Sequence, residues 1–186
     1  TLKRDRNLDA GEIYDQVVAI NDMALKTYKK PLTNIVYMGM GEPMDNVDEV
    51  SRSAEILMDP CGLAIAPRKL TLSTAGHLPG LKSLFSKGLR TSLALSIHGN
   101  FAMRRRLMPI ERKYPLVSVL EFLKNNRNKY RSPLFVQYTL IRGVNDSIED
   151  AQELLQVLKG TPAKVNLIPL NPVEASSFET STNSQI

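Results

Sequence analysis

The chain has 186 residues, 42% hydrophobic and 23% charged with no low-complexity tract, which suits one ordinary globular domain with a buried core. No apolar run approaches the roughly 20 residues needed to cross a bilayer, and the basic start Thr1–Arg6 has no apolar region behind it, so no secretory signal is expected. Cys61 is the only cysteine, which excludes an internal disulfide framework and fits a reducing, cytoplasmic setting, while the net charge of +5 is a mild excess compatible with a nucleic-acid partner.

The residues from Asp9 to Tyr28 predict a helix. Asp9 can cap it, Glu12 stands three residues on as in a capping box, and Ile13, Val17, Ile20 and Ala24 repeat at helical spacing. Pro31 ends that segment, and Asn34–Met38 follows as a strand. Val47–Met58 is helical again, with Val50, Ala54 and Leu57 on one face. Lys69–Thr74 reads as a strand, Pro79–Lys87 as a short helix stopped by Gly88, and Thr91–Ile97 as a strand. A helix over Leu116–Tyr130, a strand over Leu134–Ile141, a helix over Ile148–Lys159 closed by Gly160 and a strand over Lys164–Ile168 complete the series.

Repeated βα units joined by short turns imply parallel strands with helices outside. The expected fold is α/β, a partial TIM-like barrel of about five parallel strands. No linker, repeat or composition shift divides it, so residues 1–186 are read as one domain. A βα barrel should not begin on a helix whose preceding strand is missing. The chain is therefore expected to be a piece of a longer one that lacks at least a first strand. The exposed strand edges of such a piece would invite pairing with another copy.

Ligands of βα folds sit at the C-terminal ends of the strands. There the first strand runs into Met38-Gly39-Met40-Gly41-Glu42-Pro43, where two glycines let backbone approach a ligand and Glu42 can take an ammonium group. The second strand leads to Ser73-Thr74-Ala75-Gly76, the third to Ser96-Ile97-His98-Gly99-Asn100, and the last to Pro169-Leu170-Asn171-Pro172. Such a ring suits a polar ligand with hydroxyls and a carboxylate, although Ser and Asn at these places also cap helices. Two histidines and one cysteine offer no metal-ligand cluster, and Glu42, Glu111 and Asp146 show no paired-carboxylate spacing.

Basic residues cluster at Lys3, Arg4 and Arg6, at Arg104-Arg105-Arg106, and at Arg112-Lys113. Three consecutive arginines cannot all face a core. Met103–Ile110 is therefore read either as a contact for an RNA backbone or as a salt-bridged loop over the mouth.

Four motifs, Met38–Pro43, Leu72–Gly76, Leu95–His98 and Asn166–Pro172, occur in the order and spacing of one family, and Asn7–Val17, Arg104–Tyr114 and Gly143–Asp146 agree with it. The chain resembles the radical S-adenosylmethionine enzymes that methylate C2 of adenosine in large-subunit ribosomal RNA and in transfer RNA. The resemblance implies that Gly41 and Glu42 hold the amino group of S-adenosylmethionine, and that Ser73, Ser96, Ile97, His98 and Asn171 contact the rest of it. It further implies a [4Fe-4S] cluster on a CxxxCxxC loop, an electron donor to that cluster, and a methyl-carrying cysteine near the C-terminus. Those cysteines would lie before Thr1 and beyond Ile186. Cys61 matches neither and is read as an ordinary half-buried thiol in a helix-to-strand connection. The piece alone is thus expected to be inactive, without catalytic or metal-binding residues of its own, and to bind S-adenosylmethionine weakly. Two other readings stay open: a radical S-adenosylmethionine enzyme for a small molecule or peptide, and a non-catalytic RNA-binding scaffold.

Overall fold

The computed structural model describes residues 5–171, 177–182 and 185. Lys3, Arg4 and Pro172 of the motifs above lie outside the described residues. The elements follow the expected alternation. They are α1 (Ala10–Tyr28), β1 (Ile35–Tyr37), α2 (Val47–Met58), β2 (Leu70–Thr74), α3 (Leu78–Ser86), β3 (Ser92–Ser96), α4 (Phe101–Leu107), α5 (Leu116–Asn125), β4 (Arg131–Leu140), α6 (Ile148–Val157) and β5 (Ala163–Pro169). The five strands are hydrogen-bonded in chain order. The chain forms two compact units, residues 1–93 with 128–131, and residues 94–127 with 132–186.

In the first unit, α1 starts where its sequence says. The Asp9 carboxylate accepts from the Glu12 N–H at 2.8 Å, and the Glu12 carboxylate accepts from the Asp9 N–H at 3.0 Å. The Arg6 guanidinium clamps Glu12 as well and, with the Asp9 N–H, holds its carboxyl down to about 2. Helix α2 buries Val47, Val50, Ala54 and Leu57, a spacing that puts them on one side. It ties to α1 where the Ala10 N–H donates to Glu49 at 2.8 Å. Strand β1 pairs in parallel with β2, Ile35 opposite Leu70 and Tyr37 opposite Leu72. Tyr130 is buried and its ring lies against Phe85, centroids 6.1 Å apart.

In the second unit, β4 and β5 run parallel, Val136 opposite Val165 and Tyr138 opposite Leu167. Leu134, Val136, Tyr138 and Leu140 are buried at every second position, as a strand requires. Helix α5 buries Leu116, Val119, Leu120 and Leu123, and α6 opens on a Ser147–Asp150 capping box.

The apolar stripe on α1 is only partly covered, and Ile20 is 51% exposed. Three expectations need correction. The helix from Leu116 stops at Asn125 and a 3-10 turn over Arg127–Lys129 follows, so Tyr130 is not helical. Residues 101–112 are no loop: α4 and a 3-10 turn over Pro109–Arg112 occupy them. Cys61 is exposed rather than half-buried. Among the described residues no helix is long and apolar enough to cross a membrane.

Candidate functional site

The polar strand ends fall in both units.

In the first unit, the loop after β1 carries Gly39, Gly41 and Glu42. Gly41 has φ of +104°, a conformation that side-chain-bearing residues rarely adopt, and nothing lies within 4 Å of where a Cβ on Gly39 or Gly41 would project. Glu42 joins two strand ends. Its Oε2 accepts from the Ala75 N–H at 2.7 Å, just past β2, and its Oε1 accepts from the Met44 N–H at 3.1 Å. Each oxygen thus keeps a lone pair for a further donor. Ser73, at the end of β2, is almost fully buried, while Thr74 is committed to the turn: its hydroxyl accepts from the N–H groups of Gly76 and His77. An anchored carboxylate with lone pairs to spare, beside uncovered glycine backbone, can accept from a further hydrogen-bond donor.

In the second unit, β3 ends on Ser96-Ile97-His98, and four neighbours hold that turn. Ile97 is fully buried and its N–H donates to the Gln137 carbonyl at 3.0 Å. His98 has φ of +60°, a left-handed conformation that residues with a Cβ adopt uncommonly. Two hydrogen bonds lock it there: its Nδ1 accepts from the Thr139 N–H at 2.9 Å, and its carbonyl accepts from the Asn145 amide at 2.7 Å. Because Nδ1 is an acceptor, the proton of the neutral ring resides on Nε2, which becomes a donor. Burial, reinforced by the Arg104 charge, lowers this imidazole to about 4. Arg104 is itself fully buried. Its Nη1 donates to the carbonyls of Ser96 and Ile97, and its Nε donates to Glu111 at 2.7 Å. Asn171 is exposed beyond the end of β5.

Sequence reasoning placed Ser96, Ile97 and His98 correctly on one turn but missed what supports it. The run of three arginines does not tell which of them is buried, Glu111 reads as a scattered acid, and Asn145 enters only as part of a family-like stretch. The Gly143–Asp146 turn signal right after a strand was the available clue to Asn145. Asn100, included in the polar ring, is a helix cap: its Oδ1 accepts from the Met103 N–H at 2.8 Å. Among the described residues no three His, Cys, Asp or Glu side chains gather as metal ligands.

No family model matches the chain. Individual relatives do. The dual-specificity RNA methyltransferase RlmN of Campylobacter lari is 44% identical over 174 residues, 93% of this chain and 49% of the relative. This chain is a relative of the RlmN-type RNA methyltransferases. The RlmN of Pseudomonas fluorescens is 40% identical across 97% of the chain and 48% of its own length. Among solved structures, a radical SAM methyltransferase from Sphaerobacter thermophilus superposes with a TM-score of 0.90 at 37% identity, over 97% of this chain and 53% of that one. A domain of a pyruvate-formate lyase-activating enzyme from Bacteroides vulgatus, 14% identical with a TM-score of 0.55, shares the fold. The partial TIM-like α/β fold of the radical SAM type expected from sequence is therefore the observed one. The chain spans about half the length of the RlmN relatives it matches.

Proposed function

We propose that this chain is the central barrel portion of a radical S-adenosylmethionine enzyme that methylates C2 of adenosine in ribosomal and transfer RNA. The observation that carries the proposal is the Glu42 carboxylate, anchored by the Ala75 and Met44 N–H groups beside the open backbone of Gly39 and Gly41. These residues fit S-adenosylmethionine: Glu42 and Gly41 would take its amino group, and Ser73 would offer a hydroxyl. In the second unit His98 would donate from Nε2, the Ser96-Ile97 backbone would border the ligand, and Asn171 would supply an amide. When bound in the intact enzyme, the cofactor and its [4Fe-4S] cluster supply a carbon radical and a methyl group. The described residues hold no ligands for that cluster, so no part of the radical chemistry is assigned to them.

The similarity to RNA methyltransferases favours RNA over a small-molecule or peptide substrate. A cytoplasmic setting, an electron donor and pairing of copies at exposed strand edges belong to the same proposal. The test is to express the complete reading frame that encodes this chain in a host lacking adenosine-C2 methylation, and to analyse its RNA by mass spectrometry. The expected result is 2-methyladenosine in ribosomal and transfer RNA. RNA without that nucleoside, from cells holding folded, cluster-loaded protein, would sink the proposal.

A further inference from the structure

We propose that the open cleft beside Phe101 binds single-stranded RNA, with one unpaired base stacked on the Phe101 ring and neighbouring phosphates held by Arg105 and Arg112. This rests on RNA being the substrate, and names a place on the chain that grips it outside the cofactor residues.

The cleft is about 420 Å³ and is lined by Phe101, Ala102, Arg105, Glu111, Arg112 and Pro115, all in the second unit. Helical spacing creates it. Phe101 and Arg105 are four residues apart on α4 and so share a face, while Arg104, one step round, points into the core. Phe101 stays 45% exposed, although burial is the ordinary fate of a phenyl ring. A single exposed apolar residue needs no explanation. One that lines a cleft together with two exposed arginines has the makings of a nucleotide subsite.

Electrostatics decides the class of ligand. Glu111 lines the cleft, yet it is 7% exposed and its oxygens are taken by Arg104 Nε and by the Leu116 N–H at 3.0 Å. The buried pair cancels itself, leaving Arg105 and Arg112 to set the sign. An exposed aromatic face flanked by cations is the arrangement with which proteins hold unpaired nucleotides, because every base has a π-face and every linkage a phosphate. An acidic peptide would satisfy the arginines but would leave the ring with no planar partner. Duplex RNA would satisfy the arginines while keeping its bases stacked internally and away from Phe101.

Fluorescence anisotropy of a short labelled single-stranded RNA, titrated with the complete protein whose reading frame encodes this chain, over a range of salt, tests this. Phe101→Ala and Phe101→Leu are both expected to weaken binding roughly tenfold at every salt concentration, because leucine restores volume but no π-face. The pair Arg105→Ala and Arg112→Ala is expected to flatten the dependence of log affinity on log salt by about 1.4, two single-strand phosphate contacts at about 0.7 each. All three side chains are exposed, so the variants should fold, which circular dichroism checks. The inference is overturned if the variants bind as the parent does, if duplex RNA binds as well as single strands, or if the parent does not bind at low salt. None of these outcomes touches the 2-methyladenosine assay, so failure here and failure of the RNA methyltransferase reading are told apart.

Discussion

Arg104 and Glu111 form a salt bridge inside the second unit, Nε to Oε2 at 2.7 Å, with side chains 0% and 7% exposed. The pair connects α4 to the turn that would border the cofactor, since the same guanidinium donates to the carbonyls of Ser96 and Ile97. On the other side Glu111 caps the start of α5 through the Leu116 N–H. Breaking a buried pair from one side leaves the other charge uncompensated. Arg104→Met should therefore cost about 3–5 kcal/mol in urea denaturation, and Glu111→Gln a comparable amount. The double change should cost less than the sum of the two. Single losses below about 1 kcal/mol would mean that this latch does not hold the turn.

His98 sets a pH window. Its folded value, near 4, is below that of an unfolded histidine at about 6.5, so the unfolded chain takes up a proton that the folded chain resists. Stability from this residue is complete above about pH 6.5 and is lost as pH falls towards 4, by on the order of 2–3 kcal/mol. Protonation also costs Nδ1 its role as acceptor for the Thr139 N–H. His98→Asn should flatten the stability curve in that window, because asparagine tolerates positive φ and offers an acceptor that does not titrate. An imidazole carbon resonance of His98 that titrates near 6.5 in the folded chain would contradict this.

The alternation of strands and helices was legible because each boundary has local chemistry. The Asp9–Glu12 capping box and Gly88, with φ of +75°, stand where sequence puts them. Helix α4 was not legible. It has seven residues, and three of them are arginines whose charge masks the helical face it presents. The Arg104–Glu111 pair spans an α-helix and a 3-10 turn, so its spacing of seven follows no single period. Ile20 shares the helical spacing of α1 yet is half exposed, because periodicity cannot tell which part of a stripe finds a partner. The ends of β1, β2 and β3 were visible as motifs because glycine, serine and histidine there break the apolar pattern. The neighbours that fix His98, Thr139 at its ring and Asn145 at its carbonyl, lie some 40 residues away in sequence or more and only the fold brings them in.

Gly80 is the weak point of the first unit's loop geometry. A Cβ at that position would stand 2.3 Å from the Met44 carbonyl oxygen and 2.7 Å from His77 Nδ1. Met44 is buried, and its N–H is one of the two anchors of Glu42. Gly80→Ala should thus push on the Glu42 loop and cost about 1–3 kcal/mol, although alanine normally favours a helix. Thermal denaturation checks it. A stabilised variant would show that the loop and α3 are less tightly seated than described.

Glu42 carries the cofactor assignment, so its charge should matter separately from its shape. Glu42→Gln keeps the length and an oxygen that can accept from one backbone N–H, but it removes the negative charge that an ammonium group would need. Binding of S-adenosylmethionine by the intact enzyme should weaken roughly tenfold in the variant, about the value of one charge-assisted hydrogen bond. Methylthioadenosine has the same nucleoside without the amino-acid portion, and should bind parent and variant alike. Calorimetry on both ligands separates the cases. Equal losses for the two would show that Glu42 acts only by holding Ala75 and Met44 in place, and equal affinities for parent and variant would remove Glu42 from the ligand's surroundings altogether.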